Sequence, residues 1–283
     1  MTVVDIAVAC MAGEPAVWWS RVWNMLLFTE KQGIEIGKIH AFGSAIVDTD
    51  KNRVVKVPVL DKYAKRRNSL TDANRVAATS AFMEGDADYV FWMDNDTVPP
   101  VDAIVRLLEA RREITAGVYF NTNEPHLPIA YVRQEDGFYF PVPYRPGGLS
   151  QVDSVGMGCT LIHRSVYEKI ESGYTLVQLP NAVLYPVLNE NIMDRKYAKP
   201  DKKRYVRGGY LHIPLSKIEN DNRYWPFYAL EHGRTEDHWF NELAAGVGIK
   251  PWLDYTVICE HVKLKATTID AYERWQRENA PTD

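Results

Sequence analysis

Two aspartates one residue apart, Asp94 and Asp96, follow directly on the apolar run Tyr89-Val-Phe-Trp-Met93. Carboxylates this close repel unless a cation, a proton or a solvated turn separates their charges. In the turn reading, Asn95 and Asp96 simply turn the chain, with Asp96 or Thr97 capping a helix that starts near Pro99. An EF-hand loop is excluded, because Val98 and Pro99 stand where it needs another oxygen ligand and then glycine. In the cation reading, a hard ion such as Mg²⁺ or Mn²⁺ takes oxygen from one or two carboxylates and bridges the phosphates of a nucleotide diphosphate. That reading requires further groups to converge from later in the chain. The available groups are the acidic pair Glu236–Asp237 and His261 in Cys-Glu-His-Val-Lys.

The elements that would position these residues can be read from periodicity. Val3–Met11 is a β-branched run before a Gly-Glu-Pro turn, and residues 14–28 then carry apolar residues near helical spacing. A second strand at 34–43, a helix ending at Gly85, the strand running into Asp94, a helix opened by Pro99–Pro100 and a strand at 114–120 follow. Strands alternating with helices imply βαβ units and a mainly parallel sheet, whose ligands sit beyond the carboxyl ends of the strands. After residue 125 the pattern becomes strands with turns, one of them around Asp136–Gly137, then a short helix at 165–172. Residues 176–230 read as loop-rich; a helix from Glu236 and a late strand at 251–263 close the pattern.

Two families share parts of this pattern. Hydrophobic strand plus Asp-Asn-Asp-Thr-Val resembles the nucleophile motif of haloacid-dehalogenase-type phosphatases, in which the first Asp attacks phosphorus. That motif normally stands near the start of its family, whereas some 90 residues precede it here. The chain more closely resembles GT-A-fold glycosyltransferases, family-2-like and of the small bacterial and phage type. The resembling segments, in order, are Val3–Met11, residues 72–100, 114–120, 152–170 and 235–263, with gaps at 45–68 and 176–230.

The resemblance implies an α/β fold with a Rossmann-like, mainly parallel central sheet, organised as one domain over residues 1–283. Residues 1–125 would form the nucleotide-sugar half, and 126–283 the loop-rich acceptor half with a C-terminal extension. It implies metal-dependent transfer of a sugar from a nucleotide-diphosphate sugar, UDP most of all, to an acceptor hydroxyl, with Mn²⁺ or Mg²⁺ as cofactor. Asp94, Asp96 and His261 would meet the metal, and Asp94 also the ribose. Asp237, with Glu236, would act on the acceptor side, one carboxylate deprotonating the hydroxyl. Thr235 capping a helix whose first turn holds both acids is the structural alternative for that pair. Gly156 and Gly158 would let backbone approach the sugar. Arg75 would contact the diphosphate or base, although Asn74-Arg75 inverts the family's usual order, and Cys10 and Met11 end the strand where the base lies.

Composition bounds the rest. The chain has 283 residues, 46% of them hydrophobic, enough for a sizeable core, and a net charge of −4 that gives no global pull toward nucleic acid. Three widely spaced cysteines, no basic leader and no apolar run of spanning length predict a cytoplasmic protein without a membrane segment. Local charge differs: segments 51–67 and 195–207 carry seven basic residues each, 14 of the chain's 33, interleaved with tyrosines. Either they are solvated loop faces or they track phosphates. Acceptors therefore stay open among a hydroxymethylated base in DNA, a saccharide and a protein. A non-catalytic nucleotide-sugar- or glycan-binding module is the non-enzymatic alternative.

Overall fold

The computed structural model describes residues 1–11, 16–43, 46–48, 53–55, 70–122, 124–179, 183–188, 225, 227–228 and 235–262. Strand β1 (Val3–Met11) leads into helix α1 (Ala16–Lys31), and β2 (Glu35–Gly43) into a small hairpin, β3 (Ile46–Asp48) and β4 (Arg53–Val55). Helix α2 (Leu70–Glu84), strand β5 (Tyr89–Asp94), the two-residue strand β6 (Thr97–Val98), helix α3 (Ala103–Glu109) and β7 (Ile114–Val118) follow. Then come β8 (Ala130–Arg133), β9 (Tyr139–Pro141), β10 (Leu149–Gln151), β11 (Ser154–Val155), β12 (Cys159–His163) and α4 (Arg164–Gly173). Beyond these lie β13 (Tyr174–Leu179), β14 (Val183–Leu188), helix α5 (Glu236–Gly246), β15 (Trp252–Ile258) and β16 (Glu260–His261).

Seven strands form the central sheet in the order β10-β15-β7-β12-β5-β1-β2. The fold is mixed α/β, and the central sheet is mostly parallel, as expected, with two strands reversed. Strands β1, β2, β5, β7 and β15 share one direction, but β12 runs against both its neighbours and β10 against β15. The physical reason lies in the connection: β12 is reached from the short strand β11 rather than through a crossover helix, so nothing returns the chain to the parallel sense. An antiparallel strand begins where its parallel neighbours end. The turn entering β12 therefore lies on the rim where β5 and β7 finish.

Helices cover both faces, which is why Val90–Met93 is apolar without alternation: all four residues are buried. On one face Trp18, Val22 and Met25 of α1 and Ile104 and Leu107 of α3 pack on Ile6, Val8, Phe91 and Met93. On the other, Val76 and Phe82 of α2, Tyr167 of α4 and Phe240 of α5 pack on Ala7, Trp92 and Ile162. Two details differ from expectation. The loop-rich stretch from residue 176 opens with most of the antiparallel β13–β14 pair, and most of the rest of it lies outside the described residues. The helix expected near Pro99 starts only at Ala103, behind an Asp102 whose side chain makes no capping bond.

Candidate active site

The rim where β5 ends gathers most of the residues singled out above. Asp94 lies beside Ala9 of β1 and beside Gly158, where β12 begins; its N–H points at the Gly158 carbonyl, 3.4 Å away. Arg75 reaches the same place from the sheet-facing side of α2, its guanidinium 5.4 Å from the ring of Trp92. Arg75 is 2% exposed. Its Nη2 donates to Asp94 Oδ1 at 2.9 Å and its Nε to Glu236 Oε1 at 3.4 Å, with Asp237 Oδ1 at 3.6 Å. One guanidinium thus joins the strand aspartate to the first turn of α5. Thr235 occupies the N-cap position of that helix, but its hydroxyl makes no capping bond, and both acids turn inward onto Arg75.

The charges do not balance, because three carboxylates surround one guanidinium. Burial alone would lower the Arg75 pKa, yet Asp94, Asp237 and Glu236 together hold it well above its ordinary value. Burial pushes the Asp237 carboxyl well above its usual range, and Glu236 and Asp94 push it further, against the pull of Arg75. Asp94 is raised for the same leading reason, desolvation, with Arg75 opposing and Asp96 adding to it. Burial raises the proton affinity of these carboxyls, which strengthens either as a base once it is ionised. Beneath the knot, Trp92 Nε1 donates to Tyr167 Oη at 2.9 Å, Tyr167 meets Tyr228 Oη at 3.1 Å, and Tyr228 stacks on Phe240.

Asp96 is disposed of differently. Thr97 and Val98 pair antiparallel with Glu260 and His261, and the Val262 N–H donates to the Asp96 carbonyl at 2.7 Å. The Trp18 indole N–H fixes the Thr97 carbonyl at 2.9 Å. This two-residue ladder brings His261 Nε2 to 3.1 Å from Asp96 Oδ2. Its Nδ1 lies 2.7 Å from the Phe120 carbonyl and so carries the hydrogen donated to it. The arrangement leaves Nε2 facing Asp96, as in a metal-binding imidazole with its outer partner in place. The Asp96 bond raises the His261 pKa above its ordinary value, with burial opposing.

Tested as a cation site, this corner fits two protein ligands, Asp96 and His261. An imidazole with a carboxylate suits Mn²⁺ better than the all-oxygen preference of Mg²⁺. Asp94, expected as a further ligand, has Oδ1 taken by Arg75, and its Oδ2 faces Gly158. Among the described residues, no three His, Cys, Asp or Glu side chains stand close enough together to hold an ion. Water and phosphate oxygens would have to complete the shell.

Gly158 lies against the Asp94 end of β5, and Gly156 lies against Tyr119 and Ile129. A Cβ on Gly158 would come within 2.8 Å of Thr97 Oγ1 and of Tyr119 Cζ and 3.1 Å of Asp94 Oδ2, so only glycine fits. Cys10 and Met11 end β1 at the same rim, but their side chains lie outside the described residues. So do segment 195–207 and most of 51–67.

Sequence reading missed Tyr119, Tyr131 and His238. Asp237 raises the Tyr131 pKa, after burial, and His238 stacks flat on Tyr139 at 4.2 Å and meets Ser154 Oγ through Nδ1 at 2.7 Å. Tyr119 stands just past the end of β7, and that placement alone could have flagged it.

No family model and no curated protein matches the chain. Solved structures do. A197 from STIV is 14% identical with a TM-score of 0.42, over 93% of this chain and 86% of that one. GalNAc-T7 with UDP, GalNAc and Mn2+ is 13% identical with a TM-score of 0.44; the match takes in 98% of this chain and 47% of that one. A glycosyltransferase involved in glycosylation of the major capsid of PBCV-1 is 9% identical with a TM-score of 0.29, over 98% and 100%. Likeness this distant assigns no activity, so the site's own residues have to carry the function. Among the described residues no helix is long and apolar enough to cross a membrane.

Proposed function

We propose that the chain is a GT-A-type glycosyltransferase that moves a sugar from a nucleotide-diphosphate sugar, UDP-linked by resemblance, to an acceptor hydroxyl. The observation that carries the reading is the convergence on one rim of an Asp96–His261 pair with a buried Arg75–Asp94–Asp237 knot. The first suits a cation and the second a proton transfer beside it. A divalent cation held by Asp96 and His261 would neutralise charge on the departing diphosphate. Arg75 orients Asp94 and the start of α5 together. Asp237, in its carboxylate form, takes the proton from the acceptor hydroxyl, with Glu236 holding Arg75 beside it. Gly156 and Gly158 would bring backbone toward the sugar, while the space a Cβ would take at each is filled by Tyr119, with Thr97 and Asp94 also against Gly158.

Segments 51–67 and 195–207 favour an acceptor that carries phosphates, a hydroxymethylated base in DNA being the case to test. The test is hydrolysis and transfer with a panel of nucleotide sugars, with Mn²⁺ and after EDTA, on plain DNA, hydroxymethylated DNA and oligosaccharides. Mn²⁺-dependent turnover of one nucleotide sugar is expected. Full turnover after EDTA would overturn the cation role. Binding to DNA that does not weaken with salt, together with no transfer to the modified base, would leave a saccharide or protein acceptor.

A further inference from the structure

Tyr119 has no part in the reading above, yet it touches both halves of the site. It is 4% exposed. On one side its ring lies edge-on to the His261 imidazole, centroids 5.7 Å apart at 80°. On the other its hydroxyl accepts the Gly158 N–H at 3.1 Å. The ring also explains both glycines: a Cβ on Gly158 would meet Tyr119 Cζ, and one on Gly156 would run into the Tyr119 hydroxyl. The adjoining Phe120 supplies the carbonyl that takes the His261 Nδ1–H. Tyr119 is itself held by the Ile129 N–H, which donates to its carbonyl at 2.9 Å.

We propose that Tyr119 is a positioning residue whose ring sets the imidazole of His261 and whose hydroxyl sets the Gly156–Gly158 turn against Asp94. One side chain then holds the cation corner and the sugar-facing backbone in fixed relation. What those two parts do rests on the glycosyltransferase reading; the contacts do not. The two contacts can be removed separately. Tyr119→Phe keeps the ring and loses the hydroxyl, and Tyr119→Leu loses both.

The experiment measures Mn²⁺ affinity from the free-ion electron paramagnetic resonance signal, with UDP present and absent, alongside kcat and KM for nucleotide-sugar hydrolysis. Circular dichroism checks that each variant is folded. Tyr119→Phe should bind Mn²⁺ within about 2-fold of the unaltered protein while its turnover falls roughly 10- to 100-fold, the usual range for losing an outer-shell partner. Tyr119→Leu should lose Mn²⁺ affinity as well, by a factor on the order of 10 to 100. Equal loss of Mn²⁺ affinity and turnover in Tyr119→Phe would overturn the division of labour, and so would a Tyr119→Phe that matches the unaltered protein in both. An unaltered protein that binds no Mn²⁺ would instead overturn the cation role given to Asp96 and His261. In that case amide exchange at Gly158, faster in Tyr119→Phe if the hydroxyl holds it, still decides the positioning role.

Discussion

Arg75 is 2% exposed and faces three carboxylates, whereas the His261 and Asp96 side chains, at 17% and 49%, face chiefly each other. The two places lie on one rim and solve opposite problems. In the knot, charges withdrawn from water must be held by one another, and the sum is negative, so the fold tolerates strain there. At the corner the charges remain near water and their pairing contributes little to the fold, which leaves them available to a ligand. The knot therefore couples function to stability, and the corner separates them.

The largest test of that difference is Arg75→Ala. It leaves Asp94, Glu236 and Asp237 uncompensated and should destabilise by about 3–5 kcal/mol, the usual cost of removing one partner from a buried ion pair. Denaturant melts at falling pH should show the deficit shrinking as the carboxylates protonate. A deficit independent of pH would mean that Arg75 acts by packing on Trp92 instead.

Asp237→Asn should separate activity from stability in the opposite sense. Loss of the base should cut transfer by roughly 10²-fold or more, with donor affinity near normal. The raised carboxyl makes the fold bind more protons than the unfolded chain, so its contribution is fully present below the ordinary value of 3.8 and lost as pH rises through the raised one. The substitution should therefore raise the melting temperature at neutral pH, and the gain should fade as pH drops toward 3.8. If the proposed transfer holds, its rate in the unaltered protein should fall on the acid side at a pH above the ordinary carboxylate range. A melting temperature that drops at neutral pH would show the pair with Arg75 outweighing the crowding of the acids.

At the corner, His261→Ala should abolish tight Mn²⁺ binding, read by calorimetry, while stability shifts by no more than about 1 kcal/mol, as for partly exposed pairs. The smallest effect belongs to the exposed Arg21–Glu260 bridge, 2.6 Å across, which ties α1 to the same ladder. Glu260→Ala should cost about 0–1 kcal/mol, less at high salt. If it weakened Mn²⁺ binding as much as His261→Ala, the corner would depend on the bridge rather than on the ladder.

Much of this was legible in the sequence because it rests on local pattern. Tyr89–Asp94 reads as a buried strand, Pro99–Pro100 announces a helix, and the acids at 236–237 stand in a first turn. What the sequence hid is non-local. A ladder of two residues, Thr97–Val98 with Glu260–His261, has no periodicity to read, yet it decides where His261 points. The direction of β12 is set by a connection rather than by composition. Pro186 makes Val183–Leu188 look like loop, although the strand is part of a two-stranded hairpin, where proline is tolerated. The convergence of Arg75 with Glu236 and Asp237 could not be read, because residues 161 positions apart leave no local signal of contact and the resemblance assigned Arg75 to the diphosphate or base.

The contacts that complete the site span most of the chain: Arg75 and Glu236 are 161 positions apart, His261 and Asp96 165. Separations this large make such contacts costly in loop-closure entropy. During synthesis a ribosome would release both aspartates well before their partners. A truncation ending short of residue 236 would keep Asp94, Asp96 and Arg75 and lack Glu236, Asp237 and His261, so a nonsense mutation there would leave the aspartates without a site.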